Sequence, residues 1–323
     1  MKRKTLTRKT AKGKTSNRKA SSVELRHLGT EKTNSASAGL DRKSALEIAR
    51  IINAEDAKVA AAVKDALPHI AHAIEMITAA LSRGGRLIYV GTGTSGRIAA
   101  LDAVECPPTF DVDPRMVQFI IAGGPKALGE AVEADEDSRE RGRKEIAEKK
   151  PTKKDVVVGI AASGRTPFTI AAIKYAHAYG AKTVAVVCNP NSPLGKAADV
   201  EIVAEVGAEV VAGSTRMKAG TAQKMILNML STGAMTRLGY VYGNLMVNLH
   251  TKNEKLLERA LGILEEVAGL NRAAARKLLA AAGRRVPIAL VMAKAGVSRT
   301  RAAAALRESR GQVRAAIALA KPM

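Results

Sequence analysis

The sequence is poor in aromatic residues and in cysteine, and both shortages limit the possible folds. The 323 residues include no Trp, five Tyr and three Phe, although 46% of them are hydrophobic. The core must therefore consist of Ala, Val, Leu and Ile, which favours helices packed on a parallel sheet over an aromatic-rich β-sandwich. Cys106 and Cys188 lie far apart and form no CxxC pair. We therefore expect neither a disulfide framework nor a zinc site.

Long apolar runs are also missing. No stretch approaches the roughly 18 consecutive apolar residues that a helix needs to cross a bilayer. The first residues, Met1-Lys-Arg-Lys, are not followed by the apolar segment of a signal peptide. The sequence therefore predicts no membrane partner and a reducing, cytoplasmic location.

Basic residues are abundant, and the formal net charge is +22. Residues 1–27 hold ten Lys or Arg against Glu24 alone, a net +9, and we take the other +13 as spread over the remaining 296 residues. Because this first segment has almost nothing to bury, we predict a disordered basic extension over residues 1–28. Such a tail either binds nucleic acid or adds solubility, and the sequence favours neither.

The stretch 86–97 carries the strongest local signal. An apolar run at 87–90 reads as a buried strand, and it is followed by glycines interleaved with hydroxyl residues and then by a helix. This arrangement aims free backbone N–H groups at an anion. We interpret Thr94, Ser95 and Gly96 as part of a phosphate cradle, with an ordinary tight turn as the alternative. A dinucleotide site is disfavoured because no acidic residue ends the next strand.

Strands and helices alternate after three amino-terminal helices, the first of which Asp41 is predicted to cap. The predicted strands are 87–90, 116–122, 156–161, 183–187 and 200–203. Strands with few charges that are separated by helices indicate a parallel sheet covered on both faces. We predict an α/β fold with a doubly wound, five-stranded, flavodoxin-like sheet in three αβα layers. Its ligand site should lie at the carboxyl ends of the strands.

The carboxyl-terminal region contains an internal repeat at an offset of 27 residues. Gly269–Asn271 returns as Gly296–Ser298, and Val286 returns as Val313. We predict two small helical hairpins packed as one subdomain. The predicted organisation is an extension, a main domain and a helical subdomain at 1–28, 29–267 and 268–323.

Two further hydroxyl-rich loops resemble the first in character. One follows the third predicted strand and ends at Pro167, and the other precedes a long helix and adds two cations. In a doubly wound sheet such loops converge on one crevice. We predict a sugar-phosphate pocket that also uses Ser163, Gly164, Arg165, Thr166, Ser214 and Lys218.

Four motifs together resemble the N-acetylmuramic acid 6-phosphate etherase family. They are GTSGR at 93–97, LDAVECPPTF at 101–110, VVVGIAASGRTP at 156–167 and GSTRMKAGTAQK at 213–224. The resemblance covers about residues 28–323 and implies the sugar isomerase (SIS) fold, a homodimer, no cofactor and no metal. It implies a carbon–oxygen lyase that cleaves the lactyl ether to give D-lactate and N-acetylglucosamine 6-phosphate. Thr92 departs from the family, which commonly has Ala there.

The resemblance assigns roles to two carboxyl groups. Glu136 matches the base that removes the C2 proton of the open-chain sugar, and Glu105 matches the acid that protonates the departing lactate oxygen. Two carboxyls in different protonation states suffice for this chemistry. The sequence itself predicts that Glu105 ends an apolar helix at Pro107, where burial and the helix dipole would keep its proton. Glu136 stands in an acidic run that by itself reads as a solvated face.

Three alternative functions remain open at this point. A non-catalytic sugar-phosphate regulator resembling the glucokinase regulatory protein would need no acid–base pair, so the retention of Glu105 and Glu136 disfavours it. An aldose–ketose isomerase would share the C2 proton abstraction but release a ketose. A nucleic-acid-binding tail would show affinity that falls steeply with salt.

Overall fold

A single parallel sheet organises the larger part of the chain. The computed structural model describes residues 27–132, 135–249 and 254–321, so the predicted basic extension lies outside it except for its last two residues. The strands are β1 (Leu87–Gly91), β2 (Val117–Ile121), β3 (Val156–Ile160), β4 (Lys182–Val187) and β5 (Val200–Val203). They pair in parallel in the order β2-β1-β3-β4-β5, which is the flavodoxin-like order. The predicted fold class is confirmed.

Seven α-helices accompany this sheet in the described part of the chain. They are α1 (Ala45–Asp56), α2 (Val59–Asp65), α3 (Leu67–Ser82), α4 (Gly93–Phe110), α5 (Arg139–Glu148), α6 (Pro167–Ala178) and α7 (Lys218–Arg237). Helix α1 begins at a capping box formed by Ser44 and Glu47, whose side chains bond each other's backbone N–H groups. The prediction that Asp41 caps this helix is wrong, because Asp41 lies in a preceding 3₁₀ turn.

Both faces of the sheet are covered by apolar side chains. Leu87 and Tyr89 of β1 point to the cluster formed with α3, α4 and α7. Ile88 and Val90 point to the opposite cluster, which α5 and α6 complete. Successive side chains of a strand alternate between faces, so a strand buried on both sides must be apolar throughout. This requirement explains the uninterrupted apolar runs in the sequence.

Helix α4 continues through Pro107 and Pro108, contrary to the prediction that it ends there. Phe110 buries its ring against the core, and the N–H of Asp111 bonds the Pro107 carbonyl at 3.0 Å. Asp111 takes a left-handed conformation, with φ of 55°, and closes the helix. The fixed φ of proline is itself helical, so packing of the last turn can outweigh the lost hydrogen bonds. Glu105 consequently lies within the helix.

The chain then forms a short hairpin and five helices around a separate apolar cluster. They are β6 (Val241–Tyr242), β7 (Leu245–Met246), α8 (Glu254–Ala268), α9 (Arg272–Ala281), α10 (Val286–Ala295), α11 (Arg299–Glu308) and α12 (Val313–Ala320). Asn271 caps α9 and Ser298 caps α11, so the 27-residue repeat appears as two helical hairpins, α9–α10 and α11–α12. The apolar cluster also takes in α8, and the boundary between residues 267 and 268 stays a prediction. Within the described ranges, none of the helices is long and apolar enough to cross a bilayer.

Candidate active site

A polar cavity of about 260 Å³ lies at the carboxyl ends of β1 and β3. Hydroxyl groups line most of it, together with two carboxylates. The polar lining residues are Glu31, Thr92, Thr94, Ser95, Glu136, Ser163, Thr166 and Thr215. Among the described residues, no lysine or arginine belongs to this lining. The cavity thus offers many neutral hydrogen-bond donors at one end of a parallel sheet, where such folds bind ligands.

The first glycine loop brings the start of α4 against the sheet. A side chain at Gly96 would place its Cβ 2.5 Å from the Ile121 side chain and 3.0 Å from the Gly91 carbonyl oxygen. Only glycine therefore permits this approach. As a result Thr94 and Ser95 occupy the first turn of α4 and line the cavity, whereas Gly96 shapes the turn. The Ser95 hydroxyl donates to the Gln223 side-chain oxygen at 2.9 Å.

The second loop supplies two of its four predicted binding residues to the cavity. Ser163 and Thr166 line it. Gly164 turns the loop with a φ of +65°. Arg165 is half-buried and outside the lining, and its backbone N–H donates to the Ser163 hydroxyl at 3.2 Å.

Glu136 is held in the same cavity by two hydroxyl groups. One of its carboxylate oxygens accepts hydrogen bonds from Thr92 at 3.1 Å and from Thr166 at 3.3 Å. Its backbone carbonyl accepts from the N–H of Phe168 at 3.1 Å. The two hydroxyls orient the carboxylate and leave its other oxygen available to a ligand. The acidic run around Glu136 is therefore more than a solvated face.

The third loop contributes Thr215 to the cavity but neither Ser214 nor Lys218. Lys218 is 2% exposed, and its ammonium donates to Glu55 at 2.6 Å. The hydrogen bond from Lys218 is the main reason why the pKa of Glu55 is lowered to about 2. The buried carboxylate of Glu209 accepts from the backbone N–H groups of Lys218 and Ala219 at the start of α7. Lys218 thus fixes the start of α7 from inside the protein.

Glu31 reaches the cavity from a segment to which sequence analysis assigned no role. The side-chain amide of Asn189 donates to buried Thr30 at 3.1 Å, and that of Asn34 donates to the Ala208 carbonyl at 3.0 Å. These bonds hold the segment across the carboxyl edge of the sheet and place Glu31 beside Thr215 at the cavity. The position of this segment depends on partners more than 150 residues away, so local sequence could not place Glu31 at the cavity.

Glu105 lies in a different pocket, of about 320 Å³, between α4 and α7. Its side chain is exposed, contrary to the expectation of burial. Lys224 and Asn228 of α7 line the same pocket. Glu105 follows Ser95 by ten positions, a rise of about 15 Å along a helix. Within one chain, the two predicted catalytic glutamates therefore do not share a cavity.

The buried carboxyl of the second pocket belongs to Asp102. It accepts hydrogen bonds from the hydroxyls of Tyr89 at 2.8 Å and of Ser231 at 3.0 Å. Burial raises the pKa of Asp102 to about 6, against the opposing effects of these two bonds and of Lys224. Asp102 thus has the property that sequence analysis assigned to Glu105, three positions further along the helix.

The described part of the chain contains no candidate metal site. There, no three His, Cys, Asp or Glu side chains come together as a group that could hold an ion. The side chains that line the cavity themselves offer hydrogen bonding by hydroxyls and proton transfer by carboxylates.

Comparison with known proteins identifies the family. The model of the glucokinase regulatory protein N-terminal SIS domain matches residues 69–177, and that of the SIS domain matches residues 150–233. A solved phosphoheptose isomerase from Francisella tularensis is 19% identical, covers 60% of this chain and 100% of its own, and has a TM-score of 0.48, which adds nothing to the fold described above.

Two curated relatives are much closer in sequence. An N-acetylmuramic acid 6-phosphate etherase of Clostridium beijerinckii is 48% identical over 92% of this chain and 97% of its own length. One of Aeromonas hydrophila is 50% identical over 90% of this chain and 97% of its own. Identity at this level over nearly the whole of both proteins shows that the chain belongs to the N-acetylmuramic acid 6-phosphate etherase family.

Proposed function

We propose that this protein is a lyase that cleaves the D-lactyl ether of N-acetylmuramic acid 6-phosphate, in amino-sugar catabolism and cell-wall recycling. The observation that carries the proposal is the oriented Glu136 carboxylate in a cavity lined by hydroxyls. A carboxylate positioned in this way can accept the C2 proton of an open-chain sugar, which lies α to the aldehyde. The C3–O bond then breaks, and the lactate oxygen takes a proton from Glu105. Water adds to the unsaturated sugar and completes N-acetylglucosamine 6-phosphate.

The cavity lining contains both carboxylates and hydrogen-bond donors, and this difference between its groups should orient the substrate. A phosphate dianion is repelled by Glu31 and Glu136, whereas the start of α4 offers backbone N–H groups and the hydroxyls of Thr94 and Ser95. The phosphate should therefore bind at α4 and Ser163. The sugar ring should then lie toward the two carboxylates.

Ser95 can donate to that phosphate if the amide of Gln223 turns over. The Gln223 side-chain nitrogen is buried without a partner among the described residues, while its oxygen accepts from Ser95. A half-turn of the amide lets the nitrogen donate to Ser95 and frees the hydroxyl proton for the ligand. Amide orientation is assigned from such hydrogen-bond patterns.

Glu105 reaches the reacting bond only if a second copy of the chain supplies it. It lies about 15 Å along α4 from the phosphate cradle, and its side chain faces outward. In a two-fold dimer the same surface serves both copies, so each copy could place its Glu105 in its partner's cavity. We therefore propose a homodimer with two shared sites.

The reaction is tested by D-lactate release from N-acetylmuramic acid 6-phosphate. The purified protein should form D-lactate and N-acetylglucosamine 6-phosphate in equal amounts. Glu136→Gln and Glu105→Gln should each lower turnover on the order of 10²–10⁴-fold, the usual contribution of one acid or base. Full activity in both variants would remove the mechanism.

The shared site is tested by mixing the two inactive variants. Random exchange of subunits pairs intact Glu105 from one chain with intact Glu136 from the other in one site of every mixed dimer. About a quarter of wild-type activity should return if half of the dimers are mixed. A mixture as inactive as its components, with exchange shown by mass, would place both glutamates in the site of a single chain.

The same assays separate the other functions considered. A sugar-phosphate regulator would bind substrate tightly without releasing lactate, and an isomerase would release a ketose. Neither is favoured by the relatives, which carry the etherase name over more than nine-tenths of their length. Nucleic-acid binding by residues 1–28 and a cytoplasmic location stay predictions, to be tested by tail substitution and by cell fractionation.

A further inference from the structure

The positive charge is concentrated at the two ends of the chain, and most of the +13 outside the tail lies in the last 56 residues. Residues 268–323 hold twelve Lys or Arg against Glu308 alone, a net +11. The 240 residues from 28 to 267 hold 30 basic and 28 acidic residues, a net of only +2. The repeat region therefore differs sharply from the domain that bears the site. Packing these helices against one another does not require a net charge of +11.

All twelve basic side chains lie on the surface of the helical subdomain. Several are occupied locally: Arg272 pairs with Glu258 and Glu265, and Arg301 donates to the Leu319 carbonyl. Others, including Lys277 and Arg285, have no carboxylate partner within the described residues. They are exposed, like the rest of the set, which consists of Arg272, Arg276, Lys277, Arg284, Arg285, Lys294, Arg299, Arg301, Arg307, Arg310, Arg314 and Lys321.

The turn between α9 and α10 carries Arg284 and Arg285, and Arg299 of α11 reaches it; we call these three residues the basic turn (Arg284, Arg285 and Arg299). A Cβ at Gly283 would lie 2.5 Å from a guanidinium nitrogen of Arg299, so this side chain from α11 folds over the turn. Arg284 and Arg285 follow Gly283 directly. Arg285 and Arg299 have no carboxylate partner within the described residues, so this part of the surface offers positive charge to an anion.

Backbone strain supplies a second observation. Arg284 has a φ of 61°, and Arg310, in the equivalent turn of the second hairpin, has a φ of 53°. This left-handed region is costly for residues with a side chain and is normally occupied by Gly or Asn. Both turns also contain a glycine in the same conformation, at Gly283 and Gly311. Each turn thus holds one arginine in the left-handed conformation, Arg284 after the glycine and Arg310 before it.

We propose that the helical subdomain binds the phosphate backbone of double-stranded nucleic acid through a surface centred on the basic turn. A duplex presents closely spaced phosphates whose counterions are released when Lys and Arg replace them. Residues 268–323 contain no aromatic side chain on which unpaired bases could stack. Leu319 is the one large apolar side chain of the described subdomain that is more than a third exposed, whereas membrane-binding surfaces combine cations with apolar groups. The surface therefore fits a duplex best and carries no sequence specificity.

The experiment measures binding of the full chain to a labelled DNA duplex at several salt concentrations. The test variant is Arg284→Gln/Arg285→Gln/Arg299→Gln. The control is Lys64→Gln/Arg143→Gln/Lys153→Gln, which removes the same charge from exposed positions of the sheet domain. Both variants keep residues 1–27, so binding by the tail cancels in the comparison. Arg276→Gln/Lys277→Gln on α9 provides a second test variant should the first unfold.

The basic-turn variant should bind at least about tenfold more weakly, with a salt slope lower by roughly one for each phosphate that the variant no longer binds, while the control changes little. Lactate release should be unchanged in both. If both variants bound DNA equally more weakly, the loss of affinity would be explained by net charge alone. If both bound DNA as tightly as the wild type, the binding would belong to residues 1–27. Tighter binding to phosphatidylserine vesicles than to DNA would show that the ligand of this surface is a membrane and not nucleic acid. Each of these three results overturns the proposal.

Discussion

The two ends of α4 carry two polar sites of very different completeness. At its start, the Glu136 cavity is enclosed by loops from two strands, by the 3₁₀ segment that carries Glu31 and by the loop before α7. Near its other end, Glu105 lies exposed in a pocket that only two helices form. The edge of a parallel sheet gathers several loops from one chain, whereas a helix surface offers one side only. The first site is therefore enclosed within the chain, whereas the proposed homodimer would complete the second.

Exposed apolar side chains near Glu105 mark where the proposed second copy would attach. Leu101 is 50% exposed in the wall of the Glu105 pocket, and Val104 is 55% exposed on the neighbouring face of α4. Apolar groups flanking a functional carboxylate are typical of a protein interface rather than of a solvated helix. The comparison thus leads from an unfinished pocket to a second copy of the chain.

The largest expected effect comes from blocking that surface with Val104→Glu. A charge buried in the proposed dimer interface would cost several kcal/mol, so the protein should elute as a monomer. Lactate release should then fall about as far as in Glu105→Gln, by 10²-fold or more. Leu46→Glu is the matched control, because Leu46 is 60% exposed on α1, far from this pocket in the chain. An unchanged mass and activity in Val104→Glu would show that the pocket is complete without a partner.

The next largest effect distinguishes a structural role of Lys218 from a role in substrate binding. Lys218→Met leaves the Glu55 carboxylate buried without its main partner and should lower the free energy of unfolding by about 3–5 kcal/mol. Lys58→Met removes the other lysine bonded to Glu55, but Lys58 is 64% exposed, so about 1 kcal/mol or less should be lost. Urea unfolding measures both. A raised KM with unchanged stability in Lys218→Met would instead restore its predicted role in substrate binding.

The same pair predicts a loss of stability in acid. The pKa of Glu55 is lowered from 4.5 to about 2, so the unfolded chain binds a proton at Glu55 more readily than the folded protein does. The stabilisation is complete above pH 4.5 and disappears as the pH falls from 4.5 to about 2. Urea unfolding of wild type and Lys218→Met should therefore converge over this range. Parallel profiles would contradict the assignment.

Sequence patterns predicted the sheet and the first loop well because both depend on local features. An apolar run ended by glycines determines a buried strand and its turn, and Gly96 is required within the same loop. Lys218 could not be placed in this way, since its partner Glu55 is 163 residues away. The predicted end of α4 was wrong because the packing of Phe110 outweighs the tendency of the two prolines to end the helix. Local patterns therefore predicted which loops form the cavity but not which side chains turn into it.

A smaller effect tests how Glu136 is held. Thr166→Val keeps the shape of the side chain but removes the hydroxyl that bonds the carboxylate at 3.3 Å. A hydrogen bond to a charged group contributes about 1.5–3 kcal/mol, so kcat should fall about tenfold or more with little change in KM. Thr166→Ser should restore the activity. A loss of stability equal to the loss of kcat would make Thr166 structural instead.

The smallest expected effect concerns Asp102, the buried acid beside Glu105. Its pKa of about 6 lies above the ordinary 3.8, so the folded protein binds this proton more tightly and loses stability as the pH rises from 3.8 to 6. Asp102→Asn removes the buried charge, while its amide replaces the bonds from Tyr89 and Ser231 only in part. The net gain in free energy of unfolding should be about 1 kcal/mol at pH 8 and close to zero at pH 5. The exposed Asp65→Asn should change neither value, and an equal gain in Asp102→Asn at both pH values would show that burial of the charge is not the cause.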